Sequence, residues 1–242
     1  MQSTILFDLD GTLLPVSQDT FVKVYFSALG EKLAKQGFET EQALAAVWKG
    51  TKEMVKNDGT VFNRERFWSA FAESVGISAE RVAVIERITD DFYAQEFDRL
   101  REPLGVQADR GELIRSLQKK GYELVLATNP IFPMVAVKTR LAWLGLRTED
   151  FSLITTYENS RFCKPNLDYY REILEKIGKT PTECLMVGNN GKEDACAGEL
   201  GMEVYLVTDY PEDTDQALLA RFAHGSFAGF EAFAQALPDL QG

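Results

Sequence analysis

The chain has 242 residues, with 26 Lys and Arg against 37 Asp and Glu and a formal net charge of −11. An apolar fraction of 45% provides for a core and excludes intrinsic disorder, and the length suits one large domain or a domain with a smaller insertion. The acidic balance argues against a nucleic-acid or anionic-membrane partner, because clustered Lys and Arg bind both.

The chain begins with a predicted buried strand and continues with a predicted helical segment. Residues 4–7 form a short apolar run that ends in the turn sequence of residues 8–11. From about Val16 to about Arg101 the apolar residues follow a helical period, most clearly at Phe21, Val24, Tyr25, Leu29 and Leu33. We therefore expect an all-helical cap, residues 16–101, inserted after the first strand.

Beyond residue 102 predicted helices and strands alternate, and a glycine follows each helix as a stop signal. The predicted pairs are helix 109–120 with strand 124–127, helix 133–144 with strand 153–155, helix 167–177 with strand 185–188, and helix 194–200 with strand 204–207. Short apolar strands between helices are typical of a parallel sheet with helices on both faces. The sequence predicts an α/β fold with a Rossmann-like core, residues 1–15 and 102–242.

Polar residues follow each predicted strand, where α/β sheets bind ligands. They are Asp8, Asp10, Gly11 and Thr12 after the first strand, Thr128 and Asn129 after the second, Lys164 in the loop after the third, and Asn189, Asn190, Glu193 and Asp194 after the fourth. Carboxylates that meet at one edge repel one another unless a cation lies among them. Oxygen ligands without His or Cys favour Mg²⁺.

A hydroxyl, backbone N–H groups and a lysine around such a metal are typical of a phosphate site. An Asp carboxylate can attack phosphorus there, and a second Asp two residues on can protonate the leaving oxygen and later deprotonate water. The residues therefore favour phosphoryl chemistry on a small phosphorylated ligand.

These segments resemble the four motifs of the haloacid dehalogenase-like hydrolase superfamily. They are residues 8–13 (DLDGTL), Thr128-Asn129, Lys164-Pro165, and Gly188-Asn189-Asn190 through Asp194, in the family's order. The resemblance extends from Ile5 to Val207, and the inserted helices resemble the C1-type cap of the phosphatase branch.

The resemblance implies a role for each matching residue. Asp8 would be the nucleophile, Asp10 the general acid and base, and Lys164 would neutralise negative charge on Asp8 and the phosphate. Thr128 would hydrogen-bond the transferring phosphoryl group. The implied phosphate-binding residues are Gly11, Thr12, Thr128, Asn129 and Lys164. The implied Mg²⁺ ligands are Asp8, Asp10 (through its carbonyl), Asn189 and Asp194.

The fourth motif departs from the family, whose members usually have Asp where this chain has Asn189. An amide oxygen can bind a hard cation but has no negative charge, so we expect weaker metal affinity. Asp10 supplies a proton that an oxygen leaving group needs and a halide does not, which favours a phosphomonoester over a haloacid. The sequence predicts a Mg²⁺-dependent phosphatase for a small phosphorylated metabolite. A weakly active or non-catalytic phospho-ligand-binding member and a sugar phosphomutase remain alternatives.

The expected location is the cytoplasm. No apolar run approaches the ~18 residues that span a bilayer, and the first 14 residues lack the basic segment of a signal peptide. Three cysteines are an odd number and none forms a CxxC pair, so neither a disulfide framework nor a structural zinc site is expected.

Overall fold

The computed structural model describes residues 1–241, and its centre is a six-stranded parallel sheet with the strand order β3-β2-β1-β4-β5-β6. The strands are Thr4–Phe7 (β1), Glu123–Leu126 (β2), Leu153–Ile154 (β3), Cys184–Gly188 (β4), Glu203–Val207 (β5) and Ala223–Gly225 (β6). In the register of the sheet Phe7 lies beside both Leu126 and Val187. The carboxyl ends of β1, β2 and β4 therefore meet at one edge.

Helices cover both faces of the sheet. They are Gln18–Ala34 (α1), Thr40–Val55 (α2), Asn63–Val75 (α3), Ala79–Gln95 (α4), Gly111–Lys119 (α5), Met134–Trp143 (α6), Leu167–Ile177 (α7), Gln216–Leu219 (α8) and Phe227–Ala236 (α9), with short 3-10 turns between some of them. Ile5 and Phe7 pack into the core on one face and Leu6 into the core on the other. Burial on both faces explains why the strands are continuous apolar runs.

The four helices α1 to α4 follow β1, as the sequence predicted, and no strand interrupts them. Ser17 and Ser78 cap α1 and α4 by accepting hydrogen bonds from backbone N–H groups of the first turn. This helical segment contacts α6. The ring of Phe97, in the 3-10 turn after α4, stacks on that of Trp143 in α6 with centroids 5.5 Å apart. The Trp143 indole also donates to Asp98 at 2.7 Å.

The C-terminal part of the fold differs from the sequence prediction in two places. The predicted helix 194–200 is a 3-10 helix over Ala195–Leu200. The strand β6 and the helices α8 and α9 were not predicted. β6 reads Ala-His-Gly and is largely exposed at the sheet edge, so it lacks the apolar run by which the other strands were recognised. Within residues 1–241 no helix is both long and apolar enough to cross a membrane.

Candidate active site

The loops after β1 and β4 touch each other at the carboxyl edge of the sheet. Gly11 has a φ of +80°, and a Cβ added there would lie 2.3 Å from Nδ2 of Asn189. Only glycine combines that backbone conformation with so close an approach. Gly11, which the sequence placed at a phosphate site, therefore sets the distance between the two loops.

Lys164 joins the loops after β1 and β4 at the floor of the site. Its ammonium group is fully buried and donates to Oδ1 of Asp8 at 2.8 Å and to Oδ1 of Asp194 at 2.6 Å. Burial alone lowers the pKa of Lys164, but Asp194 and Asp8 raise it well above its ordinary value. Two carboxylates thus offset the cost of burying one cation.

Asp8 is the member of this cluster whose carboxyl group ionises least readily. Burial raises the pKa of its carboxyl group, the Asp194 and Asp10 charges raise it further, and Lys164 opposes them. Its side chain is 11% exposed, so one face remains open to the site. The raised pKa favours the protonated carboxyl group, and Lys164 favours the ionised form, which is the form that can act as a nucleophile.

Both carboxylate oxygens of Asp194 accept hydrogen bonds that hold the loop after β4. Its Oδ2 accepts hydrogen bonds from the backbone N–H groups of Asn189 at 3.0 Å and Asn190 at 2.9 Å. A Cβ on Gly188 would lie 2.1 Å from that oxygen, so glycine is needed for the approach. With Lys164 on the other oxygen, Asp194 fixes the loop that presents the Asn189 side chain.

Asn189 presents its amide oxygen to the side of the site where Asp8 lies. Its Nδ2 donates to the carbonyl of Tyr210 at 2.6 Å, which fixes the orientation of the amide. The Thr12 hydroxyl lies 3.0 Å from Oδ1 of Asn189 and 3.2 Å from Oδ2 of Asp8, so it bridges the two oxygens. The sequence predicted Thr12 and Asn189 in the site but not the Tyr210 carbonyl.

Asp10 turns toward helix α6 and pairs with Arg140. Nη1 of Arg140 donates to Oδ2 of Asp10, and the arginine side chain is fully buried. Its guanidinium carbon lies 4.4 Å from the centroid of the Phe132 ring and 5.5 Å from that of Phe21. Oδ1 of Asp10 has no hydrogen-bond partner among the described residues. One oxygen of the carboxyl group is therefore held by Arg140, and the other is buried without a hydrogen-bond partner among the described residues.

Arg140 is the residue that the sequence reading missed. It lies on the buried face of α6 with Ala136, Val137 and Leu141. A charged residue inside an apolar helical stripe was the available signal, because such a residue is rarely buried without a partner.

The end of β2 supplies the remaining predicted residues. Thr128 is buried, and its carbonyl accepts hydrogen bonds from the hydroxyls of Thr155 at 2.7 Å and Tyr169 at 2.9 Å. Asn129 donates to Oε2 of Glu193 at 3.0 Å. Burial raises the pKa of Glu193 to about 7, although Lys164 opposes the shift. The β2 and β4 loops are thus linked across the edge of the sheet.

All of these loops open into one cavity of about 400 Å³ between the sheet edge and helices α1 to α4. The predicted residues that line it are Asp8, Asp10, Thr128, Asn129, Asn189 and Asp194. Lys164 lies beneath Asp8 rather than on the wall, and Gly11 and Thr12 lie in the loop beside it. The structure brings every residue of the sequence prediction to this end of the sheet.

The oxygen atoms at this site suit a hard cation as ligands, but there are few of them. Within residues 1–241 no group of three or more His, Cys, Asp or Glu side chains is arranged to hold a metal ion. The oxygens of Asp8 and Asn189 nevertheless lie on either side of the Thr12 hydroxyl, and both are ligands that Mg²⁺ accepts. One carboxylate and one amide give less charge than two carboxylates, in keeping with weak affinity.

Both the sequence and the fold are similar to those of known proteins. The family model described as haloacid dehalogenase-like hydrolase matches residues 2–201. A ribulose-1,5-bisphosphate 5-phosphatase of Halopiger xanaduensis is 25% identical, covering 93% of this chain and 95% of its own. A glyceraldehyde 3-phosphate phosphatase of Methanothermobacter thermautotrophicus is 27% identical and covers 86% of each chain. A 2-haloacid dehalogenase structure from Pseudomonas syringae superposes with a TM-score of 0.62 at 18% identity, covering 98% of this chain and 99% of its own.

Proposed function

The chain belongs to the haloacid dehalogenase-like hydrolases, and we propose that it is a phosphatase that cleaves phosphate monoesters through a phosphorylated Asp8. The observation that carries the proposal is the buried Asp8 carboxylate, held at 2.8 Å by Lys164 at the floor of the cavity. The curated relatives named above are phosphatases of small phosphorylated metabolites, which supports the reaction class.

The proposed hydrolysis has two steps, transfer of the phosphoryl group to Asp8 and its transfer from Asp8 to water. An oxygen of Asp8 attacks phosphorus, the bond from phosphorus to the substrate oxygen breaks, and Asp10 gives that oxygen a proton. Asp10 then takes a proton from water, and the resulting hydroxide attacks phosphorus and releases Asp8 and inorganic phosphate. Lys164 stabilises negative charge on the phosphoryl oxygens in both steps.

The other predicted residues have supporting roles in this proposal. Thr128 and Asn129 hydrogen-bond the phosphoryl oxygens. The backbone N–H groups of Gly11 and Thr12 donate to carbonyls of their own turn, so these two residues would shape the phosphate site rather than donate to the phosphate from the main chain. A Mg²⁺ ion, when bound, supplies positive charge at the phosphoryl group. Asp8, the Asp10 carbonyl and Asn189 would hold the ion, with Asp194 acting on it directly or through a water molecule.

Asp10 must leave Arg140 or use its free oxygen to reach the substrate. Its Oδ2 is anchored to Arg140, while Oδ1 is buried and has no partner among residues 1–241. The residue itself lines the cavity. We assign Oδ1 as the atom that exchanges the proton, once a turn of the side chain brings it from its buried position to the substrate. In this assignment Arg140 holds the resting carboxyl group by its other oxygen.

The domain division follows from the same proposal. In it residues 1–15 and 102–242, of which residue 242 lies outside the described residues, would form the catalytic core, and residues 16–101 would form a cap that selects the substrate. The loops at the strand ends bind the phosphoryl group, whereas the cap helices build most of the rest of the cavity wall. Selectivity for the organic part of the substrate therefore resides in the cap.

The test is hydrolysis of p-nitrophenyl phosphate at neutral pH, with Mg²⁺ and with EDTA. We expect a Mg²⁺-dependent rate, and no rate for Asp8→Asn, which keeps the shape of the side chain but removes the nucleophile. Mass spectrometry of acid-quenched enzyme is expected to show a phosphoryl group on Asp8. Full activity of Asp8→Asn would refute the mechanism.

Asn189 favours a second candidate, a weakly active or non-catalytic protein that binds a phosphorylated ligand. The amide removes one negative charge from the position where the family usually has Asp. In this case wild-type protein binds phosphorylated ligands without turnover. If Asn189→Asp restores turnover, the protein is a weakened enzyme rather than a binding protein.

A further inference from the structure

The cavity above the phosphate end is walled mainly by hydrocarbon. Away from the carboxylates its lining is aliphatic and aromatic and comes from four cap helices and from the loop after β2. Representative residues are Phe21, Leu29, Val47, Phe71, Ile85 and Phe132. Most of these side chains are almost fully buried, so the cavity extends into the interior of the helical segment.

Several polar groups on this wall hydrogen-bond each other or their own helices. The hydroxyls of Tyr25 and Tyr93 are 2.6 Å apart and hydrogen-bond one another. The hydroxyls of Thr51 and Thr89 donate to backbone carbonyls one turn earlier, at 3.0 and 2.8 Å. In the part of the chain that the structure describes, Trp68 Nε1 is a buried donor without an acceptor.

A polyhydroxylated substrate is poorly matched to such a wall. Each substrate hydroxyl that enters loses its hydrogen bonds to water, and the loss is compensated only if the protein offers a partner. One indole N–H serves one acceptor at most, and the Tyr157 hydroxyl, which also lines the cavity, adds one further polar group. The wall therefore favours an organic group with few or no hydroxyls.

The mouth of the cavity has the same apolar character and adds positive charge. One face of α2 presents Trp48, Thr51, Lys52 and Val55 to the cavity, and Lys56, the residue that follows the helix, lines it as well. Trp48 and Val55 are 44% and 41% exposed, which is unusual for large apolar side chains. Lys52 and Lys56 are exposed beside them and attract an anionic headgroup as it approaches.

We propose that the substrate is a phosphate monoester of an apolar alcohol, with an aliphatic or aromatic group of about eight carbon atoms. The inference rests on the proposed phosphatase function and names the substrate class of the same site. At about 30 Å³ for each water-sized group, 400 Å³ holds roughly a dozen heavy atoms, and the phosphoryl group takes four or five of them. The reaction transfers the phosphoryl group to Asp8 and then to water, and releases the alcohol with the proton from Asp10.

The first experiment measures kcat/KM for ethyl, butyl, hexyl, octyl and dodecyl phosphate below their micellar concentrations, with glyceraldehyde 3-phosphate as the polar comparison. Each methylene that enters the cavity is expected to raise kcat/KM by about fourfold, and the gain is expected to stop near eight carbons. Hydrolysis of the polar substrate with no dependence on chain length would overturn the substrate class and leave the phosphatase function standing.

A matched pair of variants tests whether this cavity sets the chain-length limit. Val22 and Val24 are both half-buried on α1, but Val22 lines the cavity and Val24 packs against the core instead. Val22→Trp is expected to shift the optimum to shorter chains, and Val24→Trp is expected to leave the optimum in place. The same shift in both variants, or in neither, would overturn the assignment of the cavity.

A binding experiment separates this inference from the proposed function. n-Alkylphosphonates have a carbon–phosphorus bond that the proposed chemistry does not cleave, so isothermal titration with Mg²⁺ present measures binding alone. The Kd is expected to fall about fourfold per methylene up to about eight carbons. That result without hydrolysis of any ester would support the apolar site and refute the phosphatase. No gain in binding from ethyl to octyl would refute the apolar site whatever the activity.

Discussion

Asp8→Asn and Asp10→Asn are both expected to abolish turnover but to change stability in opposite directions. Each variant keeps the size of the side chain and removes one negative charge. The difference arises from the cation that each carboxylate faces. Lys164 has a second carboxylate, Asp194 at 2.6 Å, whereas Asp10 is the only acidic side chain paired with Arg140 among the described residues.

For Asp8 the sign follows from its raised pKa. A carboxyl group with a folded-state pKa above its unfolded value of about 3.9 loses stability as the pH rises through the interval between the two. At pH 7.5 the folded state therefore bears the cost either of a buried carboxylate or of keeping a proton that the unfolded chain has released. Asn removes that cost, and the lost bond to Lys164 offsets part of the gain. We expect roughly 1–3 kcal/mol of added stability at pH 7.5 and little change near pH 4.

For Asp10 the cost is an unpaired buried cation. Breaking a buried ion pair by removing one partner costs about 3–5 kcal/mol. The side chain of Asp10 is 31% exposed, so water and the new amide oxygen compensate in part. We expect Asp10→Asn to lose about 2–3 kcal/mol, while Arg140 remains fully buried and charged.

The assay is urea unfolding at 25 °C without divalent metal, followed by circular dichroism and tryptophan fluorescence at pH 7.5 and near pH 4. Equal m-values across the three proteins show that the unfolding free energies are comparable. The reasoning is refuted if Asp10→Asn is as stable as wild type. It is also refuted if Asp8→Asn loses as much stability as Asp10→Asn.

Three further predictions concern the loops and one thiol. Asn189→Asp is expected to tighten Mg²⁺ binding by tenfold or more in calorimetric titrations. Asn190→Asp is expected to have a smaller effect, because the side-chain amide of Asn190 donates a hydrogen bond to Glu212 instead. Gly11→Ala is expected to lower the free energy of unfolding more than Gly37→Ala. Both glycines have a φ near +80°, but only at Gly11 would the new Cβ have a neighbour within 4 Å. Equal losses of stability would contradict the clash. Burial raises the pKa of Cys163, so at pH 8 iodoacetamide is expected to label that thiol far more slowly in native than in urea-unfolded protein, as peptide mass spectrometry would show; equal rates would contradict its burial.

The residues at the strand ends could be predicted because a parallel sheet brings its carboxyl edges together regardless of detail. The positions of Asp8, Thr128 and Asn189 follow from which strands exist and from the rule that such sheets bind ligands at that edge. Lys164 follows a strand of only two residues, yet the order of the motifs was enough to place it.

The ion pair of Asp10 with Arg140 could not be predicted with the same reasoning. It depends on the rotation of α6 about its axis and on the direction in which a long side chain leaves the helix. The cavity was equally out of reach, because its volume is the space that packed side chains leave between helices. Both features are set by packing rather than by the order of elements along the chain.

The central place of β1 in the sheet has a consequence for synthesis on the ribosome. Its two neighbours are β2 and β4, and β4 ends at Gly188, about 180 residues after Phe7. At about 5–20 residues per second, β1 waits about 10–40 s before both partners exist. Both edges of this apolar strand are open until β2 is made, and the edge that faces β4 stays open until residue 188. We expect nascent chains halted between residues 126 and 188 to be prone to aggregation and to recruit chaperones, and Asp8 to be positioned only after the last neighbour of β1 has been made.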